Sequence, residues 1–473
     1  MRKKPLLLVA GACLATLTLT VGTAIADPTG PPEPRELIGV GAQTTQGVFN
    51  DLSNVITDNG THGLPAGTKI VGSYDNAPPG PITTRPAPAN CTITRPNQGG
   101  AGTDALVHSL QANDGCVQFA RVVTNDSASR GGTGLTYIPF AIDALTYAVR
   151  DDSTIPRNLS AASLTDIYNC KFPNIQPLIG VFGAGNRTFF LKKLGFTDSP
   201  TFAGSPGHEC VKDTDTTGAP LLANDGRLLT APNQLVTYSS APYLAQVSGV
   251  EPDLHGTAVL GSINGTSPAV VNSNSVIPRG SNDAVAYAVR DDSSIPKNLT
   301  VANLKAIYNC QFGNINPVLA AFGSANRSTF LAALGFTDSA GFAGSAGHTC
   351  VKDTDSAGTP VGDNDGRVLT APSQLMPYSI AQYLSQVNGA SADLHARAVL
   401  GSIDAFSPDV LNNSSFMSRE VFNVVPTSQI VSGTPTNYVF VGPGSQVCAN
   451  AKTIQSHGFN TDSNCGSTTI QTP

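Results

Sequence analysis

The residues best placed to do chemistry in this chain lie where a strand passes through a glycine turn into a helix. Gly183-Ala184-Gly185-Asn186-Arg187-Thr188 and, 140 positions later, Gly323-Ser324-Ala325-Asn326-Arg327-Ser328 each follow a short apolar run. Asn186 and Asn326 read as helix N-caps. A helix start offers unpaired backbone N–H groups and a partial positive charge, which together suit an anion or a polar oxygen. Leu37-Ile38-Gly39-Val40-Gly41, followed by Thr44-Thr45 and the apolar spacing Val48, Phe49, Leu52, is a third such start and carries two hydroxyls. No catalytic constellation accompanies these turns. The chain lacks a Gly-x-Ser-x-Gly elbow and a Walker loop. His208 and His348 stand two residues before cysteines and read as neighbours of disulfides, and Asp213/Asp215 and Asp353/Asp355 do not run on into a calcium loop with its terminal Glu. The residues therefore point to binding rather than catalysis, with no cofactor and no metal.

The elements that must position these turns follow from composition and periodicity. Of 473 residues only 13% are charged, while 47 Gly and 34 Pro rule out a long-helix or coiled-coil protein and favour a loop-rich α/β chain. Leu135 to Val149 alternates and is rich in β-formers, which predicts a strand. Ser160 or Thr300 can cap a helix whose Leu164, Ile167 and Tyr168 share one face. Pro177 to Phe182 and Pro317 to Phe322 read as buried strands. The helices after them carry Phe189, Phe190 and Leu194, or Phe330, Leu331 and Leu334, and stop at Gly195 or Gly335.

Residues 143–268 align without a gap on 283–408, with 78 identities in 126 positions, a level that a tandem duplication explains. Each copy is too large for a solenoid repeat and reads as a lobe. The first residues read as an export signal: Arg2 to Lys4 are basic, Leu6 to Val21 is apolar, and Ala24-Ile25-Ala26 is a cleavage site before Asp27. Losing Arg2, Lys3 and Lys4 moves the formal charge from −6 to −9, which leaves no basic footprint for nucleic acid. No later stretch is apolar enough to span a membrane. Eight cysteines remain after cleavage, an even number in an exported chain. Each copy must have folded before it was copied, so Cys170 pairs with Cys210 and Cys310 with Cys350, leaving Cys91 for Cys116 and Cys448 for Cys465. The expected organisation is a signal over 1–26, an N-terminal lobe over 27–142, one repeat with its junction over 143–282, a second repeat over 283–408 and a closing segment over 409–473.

Several segments together resemble a known group. They are Gly39-Val40-Gly41-Ala42-Gln43-Thr44-Thr45-Gln46, Phe119-Ala120-Arg121, Tyr137-Ile138-Pro139-Phe140-Ala141-Ile142-Asp143-Ala144, Asn158-Leu159-Ser160, Ile167-Tyr168-Asn169-Cys170, Pro377-Tyr378-Ser379 and Arg419-Glu420-Val421-Phe422-Asn423-Val424-Val425-Pro426. The chain resembles secreted actinobacterial substrate-binding proteins related to the phosphate-binding receptors of ABC importers. That resemblance implies a periplasmic-binding-protein type II architecture, bilobal α/β, here with one lobe-sized unit duplicated. It implies a small oxyanion such as phosphate as ligand and an ABC transporter permease as partner. It places ligand contacts at Gln43, Thr44 and Thr45, at Arg121, near the first crossover at Asp143, and at the two helix starts through Asn186, Arg187, Thr188 and Asn326, Arg327, Ser328. Departures from the group's pattern are plain. Arg121-Val122-Val123 stands where phosphate receptors supply Ser and Asp, and each helix-start loop has lost hydroxyls. The alternative reading is a binding-protein fold reused as a secreted interaction or structural protein. A single N-terminal half faces two copies that both claim the second lobe.

Overall fold

The computed structural model describes residues 35–85, 89–125, 134–271, 284–404 and 406–472. The expected export signal, Cys13 and the junction around Asp283 lie outside these residues. The N-terminal sheet is built on Leu37–Gly41, a fully buried strand with Val71–Ser73 and Phe119–Val122 parallel on either side. Helices Gln46–Val55 and Gln98–Ala112 belong to this lobe. Val48, Phe49 and Leu52 are buried as their spacing predicts. The second helix comes so close to the sheet that a Cβ on Gly102 would lie 2.6 Å from the Gly41 Cα. Only glycine fits there.

Leu135–Arg150 is a 16-residue strand, long enough at about 3.3 Å per residue to serve two lobes. Its first half pairs with the return strand Ser418–Pro426, which in turn pairs with Phe119–Val122. Its second half pairs with Gln234–Ser239 and Ala258–Leu260 in the first repeat. Nearly every residue is buried, so the alternation read from its sequence does not mark a solvent-facing side. The C-terminal segment returns to the N-terminal lobe: Asn460–Thr461 and Ile470–Gln471 both pair with the first half of this long strand.

The strands of the two repeats follow one order, those of the first within the ten-stranded sheet that holds the N-terminal strands and those of the second in a separate five-stranded sheet. In the first, Ala258–Leu260, the long strand, Gln234–Ser239 and Gln176–Leu178 are neighbours; in the second, Ala398–Ile403, Val285–Arg290, Gln374–Ser379 and Asn316–Pro317 are. Helix Ala161–Tyr168 is capped by Ser160, and Val301–Tyr308 by Thr300 with Asn303 completing a capping box. The strands expected over 177–182 and 317–322 are shorter than predicted, because the chain leaves the sheet after Leu178 and Pro317 to make the glycine turn. The expected N-caps shift as well. Ala184 and Ser324 take that position, and Asn186 and Asn326 fall inside the first helical turn. The structure forms the disulfides Cys91–Cys116, Cys170–Cys210, Cys310–Cys350 and Cys448–Cys465.

How the second copy is housed is visible at its ends. Ala269–Val271, leaving the first copy, pairs antiparallel with Asp409–Leu411, leaving the second, in the register Ala269 to Leu411, Val270 to Val410 and Val271 to Asp409. The second copy thus begins and ends at one place, in the manner of an inserted domain. Equivalent residues 140 apart meet across this pairing, so a local two-fold axis passes between Val270 and Val410. The flanking ion pairs obey it: Arg157 meets Asp393 at 2.8 Å, and Lys297 meets Asp253 at 3.3 Å. One apolar cluster runs through both copies, with Tyr243, Leu244 and Leu260 on one side and Tyr383, Leu384 and Leu400 on the other.

Candidate functional site

The N-terminal lobe meets the first copy, and the contact is polar at its centre. Thr44 sits in the 3-10 turn Gln43–Thr45, directly after the buried strand that ends at Gly41. Asn186 lies in the first turn of helix Gly185–Lys193, and Asn224 holds a left-handed conformation (φ 58°) in the loop before Gln234–Ser239. These three side chains close a ring of hydrogen bonds: Thr44 Oγ1 donates to Asn186 Oδ1, Asn186 Nδ2 to Asn224 Oδ1, and Asn224 Nδ2 to Thr44 Oγ1, each at 3.2 Å. Asn224 Oδ1 also accepts the Ser239 backbone N–H at 2.9 Å.

A buried charge pair lies beside the ring. Asp143, in the long strand between the two lobes, accepts from Arg419 Nη2 at 2.8 Å and Nε at 3.2 Å, from Ser239 Oγ, and from the Ala241 N–H at 3.3 Å. Arg419 comes from the return strand, beside Asp143 in register. Its Nη2 also donates to Asn186 Oδ1 at 2.6 Å, and its guanidinium lies 5.3 Å from the centre of the Phe189 ring. Burial lowers the Arg419 pKa from its usual value, and Asp143 opposes that shift. Three buried polar atoms on these segments have no hydrogen-bond partner: the donors Arg419 Nη1 and Ser240 Oγ, and the acceptor Gln43 Oε1. The site therefore has no net charge, one guanidinium edge and one hydroxyl to spare, and a helix start beside them.

The residues expected to touch a ligand separate into two groups. Thr44, Asp143 and Asn186 come together at the lobe boundary. Thr45 is buried next to them but turns its hydroxyl to its own Ala42 carbonyl at 3.5 Å, and Gln43 is half-buried. The others are placed elsewhere. Arg121 is buried inside the N-terminal lobe, donating to Ser73 Oγ and the Tyr74 carbonyl at 2.7 Å each and to the Gly39 carbonyl at 3.4 Å. Arg187 lies in the interior of the first copy, with Nε on Asp198, Nη1 on Asp213 and the Gly180 carbonyl, and Nη2 on the Ser199 carbonyl. Thr188 donates to Asp198. Arg327 repeats the arrangement with Asp338, Asp353, the Ala320 carbonyl and the Ser339 carbonyl, and Ser328 turns to the Ala325 carbonyl. A helix-start arginine is drawn inward because the carboxylates on the following loops lie under the helix rather than in front of it.

Asn326 donates to Asn364 at 2.9 Å, the second-copy version of the Asn186–Asn224 contact, but it is half-exposed, and among the described residues no hydrogen bond joins it to the N-terminal lobe. Gly185, which approaches Val123 of that lobe, is the exposed Ala325 in the second copy, and the buried Ala184, Ala223 and Ala245 of the first copy are the more accessible Ser324, Asp363 and Ser385 in the second. Arg419 was missed as a site residue because 276 positions separate it from Asp143 and only strand register brings them together. The contrast between the two copies at lobe-facing positions was a usable signal for which copy is covered. His208 donates from Nδ1 to the Tyr168 carbonyl (2.7 Å) and stacks on Phe202, and no cluster able to hold a metal occurs among the described residues.

No family model matches the chain, and no curated protein sequence matches it. Among solved structures, a human phosphate-binding apolipoprotein aligns at 12% identity over 90% of both chains with a TM-score of 0.35. A phosphate-binding protein from Stenotrophomonas maltophilia aligns at 12% identity over 91% of both, TM-score 0.28. An ABC-type phosphate transport receptor from Vibrio cholerae aligns at 14% identity over 49% of this chain and 78% of its own, TM-score 0.29. What the site can hold follows from its own residues.

Proposed function

We propose that the chain is an extracellular solute-binding protein in which the N-terminal lobe and the first copy close over one small oxyanion, with the second copy an accessory lobe. The observation that carries this reading is the pair of unpartnered buried donors, Arg419 Nη1 and Ser240 Oγ, at the boundary between two lobes. Burying such donors without partners costs about 1–3 kcal/mol each, a cost that an acceptor oxygen removes. The start of helix Gly185–Lys193 adds backbone N–H donors beside them. Because Asp143 already balances Arg419, directed hydrogen bonds rather than net charge would hold the ligand, and a singly charged oxyanion suits the site better than a dianion. Delivery to an ABC-type permease belongs to the same reading.

Thermal unfolding of the oxidised protein from Asp27 onward, with phosphate, sulfate and small carboxylates in turn, tests it. A ligand present at 100 times its dissociation constant stabilises by about 2.7 kcal/mol. The expected result is a shift with one oxyanion that Arg419→Lys or Ser240→Ala reduces. No shift with any of them favours the second reading, an interaction or structural role, for which the closed ring of Thr44, Asn186 and Asn224 is the motivating observation.

A further inference from the structure

The local two-fold axis between the copies passes through a hollow of about 30 Å³. Its walls come in equivalent pairs: Tyr243 with Tyr383, Leu244 with Leu384, Val247 with Val387, Leu260 with Leu400. The symmetry fails in charge at one lining pair, where the position held by Ala269 in the first copy is held by Asp409 in the second. Asp409 is 7% exposed. Among the described residues its carboxyl meets no cation, and the one hydrogen bond it draws on there is from its own backbone N–H.

We propose that Asp409 makes the contact between the two copies a proton-sensitive joint, tight when its carboxyl is neutral and loosened when it ionises. The surroundings give the reason. Strands Ala258–Leu260, Ala398–Ile403 and Ala269–Val271 present only apolar side chains to the hollow. Helices Ser240–Val247 and Ile380–Val387 present Tyr243 and Tyr383, which burial keeps neutral. The Tyr243 hydroxyl is committed to the Ala258 carbonyl at 3.1 Å. Both helices turn their C-terminal ends toward the hollow at Val247-Ser248 and Val387-Asn388, and that end of a helix disfavours a negative charge. The charged groups of the contact lie further out. Asp151, Asp291, His255, His395 and Arg397 line a separate hollow beyond the two tyrosines, while Arg157–Asp393 and Lys297–Asp253 pair with each other. A neutral acid costs little among apolar walls, whereas a carboxylate without a partner is expensive.

Burial accordingly raises the Asp409 pKa to about 7. The folded state then holds this proton more tightly than the unfolded chain does. The contribution is complete below the unfolded value near 4 and is lost as pH rises to about 7, beyond which it no longer changes. Acid tightens the joint.

The test uses the full oxidised protein as wild type, Asp409→Asn and Asp409→Ala, the last being the residue the first copy already carries. Hydrogen exchange of the backbone amides in Ala269–Val271 and Asp409–Leu411, corrected for intrinsic exchange rates, is followed from pH 5 to pH 8. The wild-type opening constant should rise on the order of 100-fold, since about two pH units lie below the folded pKa in this range, while both variants stay within about threefold across it. Groups elsewhere that titrate in this range are common to all three proteins and cancel in the comparison. Equal pH dependence in wild type and Asp409→Ala, or none in wild type, would overturn the proposal, and the alanine variant keeps the test decisive if the asparagine variant folds poorly.

Discussion

Arg187 is fully buried, with Asp198 on its Nε and Asp213 on its Nη1 at 2.8 Å each. Removing a buried ion's partner leaves an uncompensated charge, which costs about 3–5 kcal/mol. Arg187→Ala should therefore lower stability in urea unfolding by that order, and Arg327→Ala should do the same in the second copy. In whatever fraction folds, ligand affinity should stay within about twofold; a stable Arg187→Ala protein with affinity lost tenfold or more would return this residue to the binding site. His457 gives a residue-scale prediction of opposite kind. It bridges Glu251 at 2.8 Å and Asp51 at 3.0 Å and so joins the closing segment to both the first copy and the N-terminal lobe. Burial alone lowers its pKa, but the two carboxylates outweigh burial and raise it to about 9. A raised histidine stabilises fully below its unfolded pKa near 6.5, and that contribution is lost as pH climbs through 9. Wild-type melting temperature should fall between pH 6.5 and 9 relative to His457→Gln. The variant should be less stable by up to about 3 kcal/mol at pH 6, discounted because Asp51 is half-exposed. Parallel pH profiles for the two proteins would exclude the bridge.

At the scale of elements, what was legible in the sequence was what local spacing or the 140-residue offset determines. The long strand, the Ser160 and Thr300 caps and the disulfide pairs all followed from near neighbours or from the comparison of copies. What was not legible depends on register between distant segments. Asp143 and Arg419 meet only because the return strand lies in a particular register on the long strand. Arg187 and Arg327 looked available because a helix start advertises anion binding, while the carboxylates that occupy them come from loops 11 and 26 residues further on. The lobe boundary offers a direct test of which copy is covered. A Cβ at Gly185 would come within 2.4 Å of the Val123 Cγ2 in the N-terminal lobe, whereas the equivalent residue of the second copy is already Ala325. Gly185→Ala should push the two lobes apart and cost about 1–3 kcal/mol, as overpacking does, seen as a lower urea midpoint and faster hydrogen exchange at Thr44 and Asn186. Ala325→Gly should cost no more than about 1 kcal/mol, the helix propensity difference. Equal effects at the two positions would mean that the second copy is also covered.

For the whole molecule, the decisive fact is that the two copies face each other through one and the same surface. An isologous contact of this kind is self-complementary, since each contact between two residues is repeated by their equivalents across the axis. Tyr243, Leu244, Val247 and Leu260 have identical counterparts in Tyr383, Leu384, Val387 and Leu400, and the reciprocal Arg157–Asp393 and Lys297–Asp253 pairs keep the same sense of charge on both sides. Within one chain this buries the apolar centre of the surface, Tyr243, Leu244, Val247 and Leu260 among it. Excision changes that. Because the second copy begins and ends at the paired strands Ala269–Val271 and Asp409–Leu411, removing residues 271–410 and joining the ends by a short glycine-rich linker preserves the N-terminal lobe, the first copy and the return strand. It also exposes the first copy's half of the contact. An apolar patch of that size on a soluble lobe drives association, and self-complementarity directs the association to a two-fold dimer. Sedimentation of the shortened chain should show a concentration-dependent dimer. Arg157→Asp, which would set two like charges against each other at both Arg157–Asp253 contacts of that dimer, should return it to monomer. A shortened chain that folds and stays monomeric at high concentration would mean that the match between the copies depends on residues in which they differ, with Asp409 in place of Ala269 the first to examine.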